Sequence, residues 1–95
     1  MVEKFDGAQR KAALDTLKGW TYDDGQGAIS KTFKFKDFSE AFGFMARVAL
    51  AAQQADHHPD WSNSYNSVAI TLSTHDAGGL SQKDIDLAQA IDKLS

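Results

Sequence analysis

"DFSEAFGFMARVALAAQQADHHPDWSNSYNSVAITLSTH", from Asp37 to His75, decides the fold because two hydrophobic periods meet inside it. Up to about Asp56 the apolar residues recur at helical spacing, and beyond Trp61 they alternate. Asp37 with Glu40 three residues later is a capping-box pattern, which opens the helix. Phe38, Ala41, Phe42, Met45, Val48, Ala49 and Ala52 follow the i, i+3, i+4, i+7 rule and predict the face that covers a sheet. A second stripe, Gly43, Ala46 and Leu50 with Phe44 and Ala51 nearby, lies on another side, and a helix apolar on more than one side is usually covered on both. Pro59 disfavours helical geometry at His58, so the helix ends before the histidine pair. Trp61 to Tyr65 and Ser67 to Ser73 then read as two strands joined tightly around Asn66, with Val68, Ile70 and Leu72 on one face.

The flanks complete the pattern. Asp6 to Leu17 reads as a short helix with Ala13, Leu14 and Leu17 on one face, ended by Lys18-Gly19. Trp20 to Tyr22 begins a strand, and "DDGQG" (Asp23 to Gly27) is a turn signal. Ile29 to Phe35 alternates, Ile29, Phe33 and Phe35 against Ser30, Thr32 and Lys34, as a half-buried strand does. After the "HDAGG" loop, Ser81 with Asp84 forms another capping-box pattern. It opens a last helix through Leu87, Ala88, Ile91 and Leu94. The predicted fold is α+β, a four-stranded antiparallel sheet with three helices on one face. The order is α-β-β-α-β-β-α, in a single domain over residues 1–95.

Composition narrows the chemistry. Ninety-five residues with 42% hydrophobic and 11% aromatic content suit a globular chain near the lower end of what folds on one core, so self-association would help it bury surface. There is no cysteine, which excludes disulfides, thiolate metal sites and a cysteine nucleophile. No stretch reaches the roughly 18 apolar residues of a membrane span, and the start lacks a signal-peptide core, so a soluble cytosolic protein is expected. Thirteen acidic residues against ten basic ones, with no basic run, argue against direct nucleic-acid binding.

All three histidines fall between Asp56 and Asp76. A metal site would favour HxH, HxxxH or HExxH spacing, and none is present. The histidines can also be unrelated residues, His57 and His58 at a helix C-terminus and His75 in a loop. The third reading is an acid/base site. The hairpin between them can return the chain to the same end of the sheet, and imidazole titrates near neutrality. Asp56, His57, His58 and Trp61 would then face Thr74, His75 and Asp76, offering a flat heterocycle a stacking surface and proton relays.

"ADHHPDWSNSYNSVAITLSTHDAGGLSQKDIDLA" resembles the signature of the pterin-4a-carbinolamine dehydratases, also called dimerisation cofactor of the hepatocyte nuclear factor 1 homeoproteins. Their pattern of HHPxW, YNxVxIxLxTH and GLxxxD is matched by His57-His58-Pro59, Trp61, Tyr65-Asn66, Val68, Ile70, Leu72, Thr74-His75, Gly79-Leu80 and Asp84. Gln53 and Gln54 stand where animal members often carry a Glu-Lys pair. The resemblance implies dehydration of 4a-hydroxytetrahydrobiopterin to quinonoid dihydropterin, without a cofactor or metal. It makes His57, His58 and His75 the catalytic trio, with Pro59 and Thr74 to Ala77 lining the pterin pocket. On this reading His57 and His75 exchange protons with the substrate and His58 holds it. Trp61 is either core or a stacking platform, Asp84 either a helix cap or a site residue, and Asp56 a supporting carboxylate. The resemblance also implies a homotetramer paired through the central helices. An animal member would add a transcription-factor partner and a nuclear location.

Overall fold

The computed structural model describes residues 2–95 and has the predicted element order. The elements are α1 (Gly7–Leu14), β1 (Thr21–Asp23), β2 (Ala28–Lys34), α2 (Phe38–Ala55), β3 (Asp60–Ser64), β4 (Ser67–Leu72) and α3 (Gln82–Leu94), with a 3-10 turn at His75–Ala77. The strands pair antiparallel in the order β1-β2-β4-β3, and the three helices lie on one face. Register explains the alternation. Ile29 faces Leu72, Lys31 faces Ile70 and Phe33 faces Val68, while Trp61 stands across Ile70 on the other side of β4. Cross-strand partners share a face, so these residues form the floor of the core. Ser30, Thr32, Ser62, Ala69 and Thr71 occupy the opposite face, where none is buried.

Lys31 is the one cation of that core-facing set. Its ammonium lies 2.9 Å from Asp92 on α3 and 3.0 Å from the Lys18 carbonyl, above the Phe33 ring. The Trp20 indole N–H donates to the same carboxylate at 3.1 Å. A half-buried charge held by a partner and a carbonyl closes the β2 side of the core without an unpaired ion.

The central helix differs from expectation in its rotation. Its buried residues are Ala41, Phe44, Val48 and Ala52, whereas Phe38 and Phe42 are 49% and 57% exposed and Ala49 is exposed as well. Phe44 takes the inward position because its ring fits between Phe33 and Phe35, with centroids 4.9 and 4.8 Å away. Phe38 and Phe42 instead lie on the outer side with Ala46 and Leu50. Asp37 caps the helix by accepting from Glu40 N at 2.9 Å, but the Glu40 carboxylate reaches Lys36 N rather than closing the box on Asp37. The first helix is also shorter than predicted. It stops at Leu14, and Leu17 enters the core from the following turn, its N–H bonded to the Leu14 carbonyl.

Candidate active site

Two chain segments converge at the end of the sheet where β3 begins and β4 finishes, since Asp60 pairs with Thr71. The first leaves α2. Asp56 adopts a left-handed conformation (φ 52°) and its N–H closes on Ala52 and Gln53, while His57 N bonds the Ala52 carbonyl at 3.1 Å. Short polar residues tolerate that conformation, and Pro59 forbids the helix from resuming. The chain thus turns sharply at Asp56 and presents His57 and His58 in succession.

The second segment leaves β4. Thr74 forms a small bridge with Gly79, Thr74 N to the Gly79 carbonyl at 3.1 Å, closing a loop that contains the His75–Ala77 turn. The loop backs onto the β1–β2 turn so closely that a Cβ at Gly27, itself at φ +61°, would stand 3.0 Å from the Gly79 Cα. Only glycine meets both demands at residue 27.

Asp84 ties the segments together. It is fully buried in the first turn of α3. One carboxylate oxygen, Oδ1, lies 2.6 Å from His57 Nε2. The other accepts from the Thr74 hydroxyl at 2.8 Å and from Ser81 N at 3.0 Å. Asp84 is therefore a helix cap that also contacts His57 and Thr74. Ser81 extends the network, with its hydroxyl 2.6 Å from that of Thr74. A buried carboxylate is tolerable only with this many donors, and no buried side-chain polar atom among the described residues lacks a partner.

The remaining sequence-selected residues are placed less tightly. His58 is exposed, with Nε2 3.4 Å from the Gln53 amide oxygen. That contact makes Gln53 the neighbour of His58 rather than a support for His57. His75 and Asp76 are exposed and Ala77 and Pro59 half-buried. Trp61 is half-buried and packs against the core. Asp56 is exposed, and its contribution is the backbone turn; its carboxylate makes no hydrogen bond among the described residues. A cavity of about 160 Å³ opens beside His57, between Ala51 and Ala55 of α2 and Leu87 and Ala90 of α3, with Lys83 and Asp86 also lining it. It touches none of His58, Pro59, His75, Asp76 or Ala77. Sequence reasoning took Ser81 as a cap only. Its place in the Asp84 network was hinted at by the spacing Thr74, Ser81, Asp84, three hydrogen-bonding side chains around one loop. Among the described residues no three His, Asp or Glu side chains gather as a metal ion would require, and no helix is long and apolar enough to cross a membrane.

What this arrangement can do is proton chemistry: an imidazole oriented by a buried carboxylate, with two exposed histidines on the adjoining segments. Comparisons with known proteins give the family. The sequence pattern of the family described as Pterin 4 alpha carbinolamine dehydratase matches residues 3–94. Relatives from Rhodospirillum rubrum and Rhizorhabdus wittichii, each named "Putative pterin-4-alpha-carbinolamine dehydratase", are 58% and 55% identical over 94 residues. Those alignments span 99% of this chain and 98% and 97% of theirs. A crystal structure from Brucella melitensis, described as a transcriptional coactivator/pterin dehydratase, superposes with a TM-score of 0.93 at 46% identity, covering 97% of this chain and 98% of that one. A pterin dehydratase-like protein described as a RuBisCO assembly factor in the alpha-carboxysome shares the fold alone. Its TM-score is 0.69 at 21% identity, over 80% of this chain and 88% of its own. With nearly its whole length matched in both sequence and structure, the chain belongs to the pterin-4-alpha-carbinolamine dehydratase family.

Proposed function

We propose that this protein eliminates water from 4a-hydroxytetrahydrobiopterin, giving quinonoid dihydropterin, by histidine acid/base catalysis without a metal or cofactor. The observation that carries the reading is the Asp84 bridge, which joins His57 to Thr74 and so brings the loop of His75 to the same end of the sheet as His57. Loss of the C4a hydroxyl needs a proton delivered to the departing oxygen and another removed from the neighbouring ring nitrogen. His57 and His75 supply these transfers, and His58, exposed and held by Gln53, binds the substrate. Pro59, Thr74, Asp76 and Ala77 line the pterin site. Trp61, half-buried and packed against the core, supports it from that side.

The purified protein should accelerate decay of the ultraviolet signal of an enzymatically generated 4a-hydroxytetrahydropterin. A decay rate unchanged by stoichiometric protein would overturn the proposal. The outer side of α2 favours a further property, self-association. Phe38, Phe42 and Leu50 are 49%, 57% and 73% exposed on one helix, and burying them against another copy would recover roughly 25 cal/mol per Å². A homotetramer, built as a dimer of dimers with α2 at one interface, is the assembly this reading adopts. The same stripe would serve the alternative of a non-catalytic protein-binding module, and intact assembly with no dehydratase activity would favour it.

A further inference from the structure

Donor and acceptor counting fixes the order of protons around Asp84. Oδ2 is approached by the Thr74 hydroxyl and by Ser81 N–H, so the Thr74 proton is committed to the carboxylate. At the contact between Thr74 Oγ1 and Ser81 Oγ the Ser81 hydroxyl must then donate. Ser81 Oγ in turn accepts from Lys83 N at 3.3 Å. The chain runs one way, from Lys83 N–H through Ser81 and Thr74 to Oδ2. Among the described residues Oδ1 is left with a single side-chain hydrogen-bond partner, His57 Nε2 at 2.6 Å. Of the two groups sharing that proton, imidazole is the stronger base in water, and an ionised carboxylate only accepts. Nε2 therefore carries hydrogen whether the ring is neutral or an imidazolium. Among the described residues no group bonds Nδ1, and the His57 side chain keeps 12% of its surface exposed.

We infer that Asp84, itself oriented by Thr74 and Ser81, is a positioning residue that holds His57 as the Nε2–H tautomer, so that Nδ1 is the atom exchanging a proton with the pterin. This rests on the reading of His57 as a proton-transfer group. As a base, the Nδ1 lone pair takes the proton of the ring nitrogen beside the carbinol carbon. The electron pair of that N–H bond forms the C=N bond as the C–O bond breaks, and the departing hydroxyl leaves as water with a proton from the partner acid. As an acid, the Nδ1–H of the imidazolium protonates the departing hydroxyl instead, and the ring returns to the Nε2–H form. Either direction uses the same atom.

The test is the ¹⁵N spectrum of the full chain labelled in its imidazoles, with His57 assigned by its absence in His57→Ala. The neutral His57 ring should show a pyrrole-type Nε2 and a pyridine-type Nδ1. Asp84→Asn should reverse them. Thr74 and Ser81 N–H both donate toward the Oδ2 position, so the amide must turn its oxygen to them and its NH₂ to Nε2, and the hydrogen moves to Nδ1. A wrong tautomer in a His–carboxylate pair costs about 10⁴-fold in kcat, and Asp84→Asn should lose activity on that scale. Thr74→Val should lower kcat more than it alters KM, and Thr74→Ser should restore it. A pyridine-type Nε2 in the wild-type ring overturns the inference whatever Asp84→Asn does. An unreversed ring in Asp84→Asn also overturns it. Failure of the underlying reading looks different: His57→Ala would turn over at the wild-type rate while the wild-type ring kept its pyrrole-type Nε2.

Discussion

His57→Ala should destabilise the fold as well as impair turnover, although His57 sits in a loop. Among the described residues the imidazole is the sole side-chain partner of Asp84 Oδ1, and Asp84 is fully buried. Removing it leaves a carboxylate satisfied on one oxygen only. Breaking a buried pair by deleting one partner costs about 3–5 kcal/mol, and stranding a single acceptor about 1–3 kcal/mol. His57 is 12% exposed, so the truncated side chain lets water approach Oδ1 and sets the expected loss near the overlap, about 3 kcal/mol. For a domain of this size each kcal/mol moves Tm by about 4–8 °C, so Tm should fall by about 12–24 °C. His75→Ala is the matched control: its ring is exposed and makes no hydrogen bond among the described residues, so its cost should stay within about 0.5 kcal/mol. Thermal and urea melts at one protein concentration separate the two, the concentration being fixed because self-association shifts apparent stability. In an Asp84→Asn background the cost of His57→Ala should drop to about 1 kcal/mol, since no buried charge remains. A His57→Ala melt that coincides with His75→Ala, or a zero coupling energy between His57 and Asp84, would refute the reasoning.

Three further outcomes are expected. His57→Ala and His75→Ala should each lower kcat by about 10²–10⁴-fold, whereas His58→Ala should act chiefly on KM; wild-type turnover in the His57→Ala, His75→Ala double variant would sink the assignment. Exhaustive chelation should leave dehydratase activity unchanged, and a stoichiometric zinc whose return restores lost activity would contradict the metal-free route. Leu50→Glu and Phe42→Glu, each putting a charge into the exposed stripe of α2, should split the assembly in sedimentation while leaving the smaller species partly active. A wild-type protein that sediments as a monomer at micromolar concentration would assign that stripe to something else.

The element order could be read from sequence because each element carried a local signal: Asp6, Asp37 and Ser81 at helix starts, Pro59 after the helix, and Val68, Ile70 and Leu72 alternating. The facing of α2 could not. Its sequence is apolar over most of its circumference, so periodicity alone allowed Phe42 or Phe44 to point inward. The decision rests on two rings outside the helix, Phe33 and Phe35, against both of which Phe44 packs. Packing against a non-local partner overrides a pattern that is degenerate on its own helix. Leu17 makes the same point from the opposite side: its burial was expected, but a turn rather than a continued helix delivers it.

The site divides along the same line. Ser81-x-x-Asp84 is visible as a capping box because both of its bonds span three residues or fewer. The bonds that make it chemical span ten residues to Thr74 and twenty-seven to His57, and no spacing rule reports those. Yet the two roles are not independent. A carboxylate has two oxygens, and the cap uses Oδ2 alone, so Oδ1 points away from the helix start toward whatever the fold brings there. The first turn of α3 must therefore be formed for His57 to be held. A change that frays that turn without touching any histidine, such as Ser81→Gly, removes both the cap hydroxyl and the donor to Thr74. It should loosen the His57 ring along with the helix. Stability of the α3 N-terminus and orientation of the His57 ring are thereby set by one side chain.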